Sequence, residues 1–194
     1  MFSINETREN REEVLKKLLS VAPCVALVIA FLDFEWTVRR CILALGKSAT
    51  KEIHAMFSGK HPSIRGHVCG LDGYNKLWTK EVNSIRNICL FDLLKSMVKI
   101  SSIEGFDQNK LNSFMLKKDS IKNTDEFLKF VYKRFRNTLI HGIRSNVQED
   151  TAKFVFNFIV ACSRALCNYA EEKNESIYGR RIVRRKTLVL HGIV

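Results

Sequence analysis

The residue types best suited to chemistry in this chain stand together in Arg136-Asn137-Thr138-Leu139-Ile140-His141-Gly142. An imidazole has a reference pKa of about 6.5 and so takes or gives a proton near neutral pH. A guanidinium stays charged, and its planar fork holds two phosphoryl oxygens at once. Residues of these two types can cut RNA without a metal. The ribose 2′-hydroxyl attacks the adjacent phosphorus, one group takes its proton, another protonates the leaving 5′-oxygen, and the arginine holds the developing charge. Asn137 can position the phosphate or hold His141 in one tautomer. Residues five apart on a regular α-helix lie roughly 140° apart around the axis. Arg136 and His141 therefore meet only if the helix ends near Leu139–Ile140, or if they converge across a two-fold axis. The plainer alternative pairs Arg136 with an acid and leaves His141 as a cap at the helix end.

An arginine, then a polar residue, then a histidine four to six positions after the arginine resembles the motif of the HEPN superfamily. The chain carries the stricter Arg-Asn-x3-His form, after an amphipathic helix and before a glycine and a second apolar helix. The resemblance covers those two helical stretches, and the rest through its helical layout alone. It implies a metal-independent endoribonuclease with no cofactor, with Arg136 and His141 catalytic and Asn137 as the adjacent polar residue. It also implies a homodimer in which two copies of the motif line one cleft. A role as a toxin or in anti-phage defence, restrained by a cognate antitoxin or regulatory protein, goes with the family. An early-helix polar residue beside the motif is a further family feature, for which Glu35 is the candidate; an ion pair with Arg39, four positions on, is the alternative. A non-catalytic nucleotide- or RNA-binding module and a helical adaptor for an acidic protein remain open.

Charge supports a polyanionic partner. The net charge is +12, and each neutralised phosphate releases counterions on binding. The excess is uneven. Residues 1–20 balance acids against bases, whereas Arg180, Arg181, Arg184, Arg185 and Lys186 have no acid near them. These five, with Arg39 and Arg134, are the candidate RNA contacts.

No metal site is expected. His54, His61, His67 and Cys69 match no zinc spacing, and the six cysteines form no C-x-x-C pair; most lie in apolar helical contexts, where a free thiol packs as a small hydrophobe, which fits a reduced, cytoplasmic chain. The apolar run Val21 to Phe34 is too short to span a bilayer. Trp36, Trp78, Phe154 and Phe156 fit core or dimer-interface positions better than base-stacking platforms.

The elements that must position the motif are helical. With only two prolines, the pattern predicts an all-α, up-and-down bundle of about five helices over residues 1–179, and a basic C-terminal arm over 180–194. The predicted helices cover about 6–20, 22–57 with a bend at Gly46, 74–100, 124–142 and 148–174. The first half of the second is apolar nearly all round, as a central buried helix would be. Gly59, Gly66, Gly70, Gly73 and Pro62 mark a loop, and residues 101–120 a loop with one short helix. Thr124 is the expected N-cap of the motif helix.

Overall fold

The computed structural model describes residues 6–60, 70–114, 121, 123–140 and 147–178. Every regular element among the described residues is a helix. The basic arm and His141 lie outside them, as do His61, His67 and Cys69.

Helix α1 (Arg8–Val21) opens at Thr7, whose hydroxyl accepts from Asn10 N at 3.4 Å. Helix α2 (Pro23–Leu45) follows, with a proline at the first position, where no N–H partner is needed. It does not continue to Phe57 as the periodicity suggests. The chain breaks at Gly46 and resumes as α3 (Thr50–Phe57). A Cβ on Gly46 would stand 2.5 Å from the Ile42 carbonyl oxygen and 3.1 Å from Glu81 Cβ, so only glycine fits where α2 ends.

The third predicted helix is subdivided. Helix α4 (Gly70–Trp78) runs through a π turn (Thr79–Asn83) into α5 (Ser84–Arg86), and the chain stops at Asn87 with φ 50°. Helix α6 (Leu90–Met97) is separate. Gly70 and Gly73, expected in a loop, belong to α4. Burial of Leu71, Tyr74, Leu77 and Trp78 outweighs a glycine cost of about 1 kcal/mol each. A 3-10 turn (Ile100–Ser102) and α7 (Gln108–Phe114) follow.

The motif helix begins as α8 (Thr124–Val131), passes through a second π turn (Tyr132–Arg136) and continues as α9 (Asn137–Ile140). Its N-cap is Asn123 rather than Thr124: the Asn123 carboxamide accepts from Glu126 N at 3.0 Å. The Thr124 hydroxyl is turned inward to the Val98 carbonyl. Helix α10 (Glu149–Glu172) ends with Asn174 left-handed and Glu175 N bonded to Ala170 O at 2.9 Å, a glycine-free version of a common C-terminal motif.

The chain forms two compact units: Met1–Arg11, Glu35–Leu90 and Leu166–Val194 make one, and Glu12–Phe34 with Phe91–Ala165 the other. The first has Ile42, Ile53, Met56, Trp78 and Leu166 fully or almost fully buried. The second is aromatic, with Phe31, Phe34, Phe127 and Phe158 buried and Phe127 edge-on to Phe158 at 4.6 Å between centroids. Each such side chain contributes about 1.5–3 kcal/mol by leaving water. The first half of α2, expected to be buried all round, leaves Val25 and Leu32 exposed.

Candidate functional site

The motif arginine sits where the second unit's aromatic core meets its surface. Tyr132 and Phe135 of the π turn are buried, and Lys133, Arg134 and Arg136 fall outside that pair. Tyr132 packs edge-on against Phe31 at 5.4 Å and Phe34 at 6.1 Å, and Phe135 against Phe130 at 6.2 Å. A π turn inserts one residue into the α ladder, so the residues beyond it are rotated by about 100° from their α-helical phase. The two aromatic anchors hold that shift in place. Thr138 back-bonds through its hydroxyl to Arg134 O at 2.7 Å and Phe135 O at 3.1 Å, which stitches α9 to the turn.

Arg136 is half-buried and Asn137 exposed. Arg136 Nη1 donates to Asn137 Oδ1 at 3.3 Å, so the structure brings the expected arginine and its polar neighbour together. Lys133 is exposed and Arg134 half-buried on the same turn, which concentrates three cations within four residues. Lys129, one turn earlier, is engaged with Asp125 at 3.5 Å and lies 4.7 Å from the Phe91 ring centroid. The sequence reading missed Lys133; its signal was its place between Tyr132 and Arg134 in an outward-facing register. His141 lies outside the described residues, so the arginine–histidine distance is not part of this geometry.

Glu35 and Arg39 belong to the other unit, and there they share a partner that the sequence reading did not contain. The Tyr74 hydroxyl donates to Glu35 Oε2 at 3.1 Å and accepts from Arg39 Nε and Nη2 at 3.1 and 2.7 Å. Glu35 and Tyr74 are buried, and Arg39 is exposed, its guanidinium 5.3 Å from the Phe57 ring. Burial, then the Glu35 charge, push the Tyr74 hydroxyl up to about 12, against the opposing pull of Arg39. The phenol therefore stays a donor to Glu35 at any physiological pH. The signal for Tyr74 was a tyrosine within an apolar helical pattern, whose hydroxyl needs a partner once buried.

Trp36 is half-buried rather than a free stacking platform: the Arg11 guanidinium lies 3.7 Å over its ring, and Tyr178 faces it at 6.0 Å. Trp78, Phe154 and Phe156 are core. Arg40 donates to Ile177 O at 2.6 Å, and desolvation, with Arg11 nearby, lowers its pKa. Among the described residues no group of three His, Cys, Asp or Glu side chains is placed to hold a metal ion. No helix among them is long and apolar enough to cross a membrane.

Comparison with known proteins adds no relative to these geometries: no family model, curated protein or solved structure matches the chain.

Proposed function

We propose that this chain is a metal-independent endoribonuclease of the HEPN type, folded as an up-and-down helical bundle and acting as a homodimer. The observation that carries the reading is Arg136, held at the end of a π turn by buried Tyr132 and Phe135 and bonded to Asn137. A cation fixed in this way loses little freedom on meeting a phosphate, which is what transition-state stabilisation requires. The net charge of +12 supplies the attraction for RNA.

In the proposed reaction His141 takes the proton of a ribose 2′-hydroxyl, and the O2′–P bond forms as the P–O5′ bond breaks. A second acid, the partner copy's motif histidine, delivers a proton to the leaving 5′-oxygen. The products are a 2′,3′-cyclic phosphate and a 5′-hydroxyl. Arg136 binds the non-bridging oxygens, and Asn137 orients Arg136 or the phosphate. Arg134 and Lys133 hold the flanking backbone, with Arg39 and the basic residues Arg180, Arg181, Arg184, Arg185 and Lys186 as further contacts. Glu35 contributes as a positioning residue through its bond to Tyr74. A toxin or phage-defence role, with an antitoxin or regulatory protein as partner, completes the reading.

The test is cleavage of single-stranded RNA in the presence of a chelator by the wild type, Arg136→Ala and His141→Ala. The proposal expects loss of roughly 10²-fold or more in each variant. Wild-type protein that binds RNA at low salt and leaves it intact would instead be a non-catalytic RNA-binding module. Protein that binds no nucleic acid would be an adaptor for an acidic protein.

A further inference from the structure

Four of the seven large apolar side chains exposed among the described residues gather on α1 and the start of α2. Val14, Val21, Val25 and Leu32 are 47, 82, 51 and 46% exposed, and Leu18 and Val28 between them are half-buried. Along the chain the six positions step by four, three, four, three and four, the spacing of a heptad seam. All six belong to the second unit. Helical bonds carry the chain across the α1–α2 junction, Ala22 N to Leu18 O at 2.8 Å and Ala26 N to Ala22 O at 2.9 Å. Leu15 and Ala26, eleven residues apart and both fully buried, keep one helical phase through it, because eleven residues are close to three whole turns. Val14 and Val25, and Val21 and Leu32, repeat the same interval on the outward side.

We propose that this seam is the contact between two copies of the chain, packed antiparallel about a two-fold axis level with Pro23. Reversal about that level maps the seam onto itself: Val14 meets Leu32, Leu18 meets Val28, and Val21 meets Val25. Each pair joins a d position to an a position, as antiparallel knobs-into-holes packing requires, and each contact is repeated by symmetry.

Charge selects a second copy as the occupant. Two molecules of net charge +12 repel unless they meet where the excess is absent. Residues 21–32 contain no charged side chain, and residues 12–34 hold Glu12, Glu13 and Asp33 against Lys16 and Lys17. Of these, Glu12 is bonded to Arg164, and Glu13 is paired with Lys17 at 2.6 Å. The area is adequate as well. The seam exposes roughly 400 Å² per copy, most of the apolar share of a standard interface of about 800 Å² per partner. The seam deepens the nuclease reading by naming the surface on which two copies meet. It rests on the homodimer of that reading: a dimer that ignores changes in the seam overturns the seam alone, whereas a monomeric wild type also removes the partner histidine.

The experiment is sedimentation equilibrium or light scattering of the full chain over about 1–100 μM protein. The wild type is expected at twice 22.4 kDa. Val21→Glu with Val25→Glu places like charges across the axis and should weaken association by about 100-fold or more, with unchanged far-UV circular dichroism because both positions are exposed. Val21→Glu with Val25→Lys should recover the dimer, since position 21 of one copy faces position 25 of the other. Val21→Lys alone, at the most exposed position, sets an unpaired charge against the other copy's Val25 and should also weaken association, which serves should the double change disturb folding. A wild type that stays at 22.4 kDa throughout overturns the proposal and leaves the face to a different protein. So does a dimer indifferent to the like-charge pair. Opposite charges that dissociate as fully as like charges overturn the antiparallel register.

Discussion

The two π turns, one in each unit, use the same backbone device for opposite ends. In Thr79–Asn83 Val82 and Glu81 are both fully buried, and the charged one is Glu81. Its Oε2 accepts from Ser48 N and its Oε1 from the Ser48 hydroxyl, each at 2.9 Å, while Lys47 N donates to its carbonyl at 3.2 Å. In Tyr132–Arg136 the inward residues are aromatic, and the charged ones lie toward solvent. A π turn is thus no functional mark by itself. It displaces one residue from the helical register, and the residue displaced decides the use. At Glu81 it closes the Gly46–Ser48 bend; at Arg136 it holds out a cation.

This contrast predicts a double dissociation. Arg136→Ala should lower cleavage by roughly 10²–10³-fold while chemical denaturation moves by no more than about 0.5 kcal/mol. Glu81→Ala should do the reverse. It leaves the half-buried Ser48 donors without their carboxylate and should cost about 1–3 kcal/mol, with cleavage per folded molecule unchanged. A Glu81 variant as stable as the wild type would end the structural reading of that turn.

Gly46→Ala sharpens the same side of the comparison with a smaller effect. The added methyl meets the Ile42 carbonyl and Glu81 Cβ, and a loss of about 1–3 kcal/mol is expected. Thermal denaturation reads it, and the cleavage rate of the folded protein should not move.

The smallest effect belongs to Tyr74. Its hydroxyl is raised from 10.0 to about 12 in the folded chain, so the folded state keeps a proton that the unfolded state releases first. The stability this provides is full below about pH 10 and is lost as pH rises toward 12. Tyr74→Phe should therefore lose stability near neutral pH, by about 1 kcal/mol, yet fall less steeply than the wild type between pH 10 and 12. Parallel stability curves in that window would remove Tyr74 as the titrating group.

Legibility followed periodicity. Helices α1 and α10 lie within about two residues of their predicted bounds because each carries a sustained apolar stripe. The break at Gly46 was visible as a bend, but its completeness depends on Glu81, thirty-five residues on, filling the space a side chain would need. Neither π turn has a compositional sign, since one inserted residue changes phase and not residue type. The Glu35–Tyr74–Arg39 cluster joins residues up to 39 positions apart, beyond any local pattern. Arg136 and Asn137 were legible because adjacent residues on one helix end meet by construction. The outward seam on α2 was hidden by its own apolarity: all-round hydrophobic sequence reads as burial, and only exposure distinguishes a buried face from an unpartnered one.

The most direct test of the Arg136–His141 account is the chemistry of the ends it leaves on RNA. A defined single-stranded oligonucleotide incubated with the wild type and a chelator should yield fragments ending in 2′,3′-cyclic phosphate and beginning with 5′-hydroxyl, with no such fragments from Arg136→Ala. Ends bearing 5′-phosphate, or the same fragments from both proteins in equal yield, would contradict it.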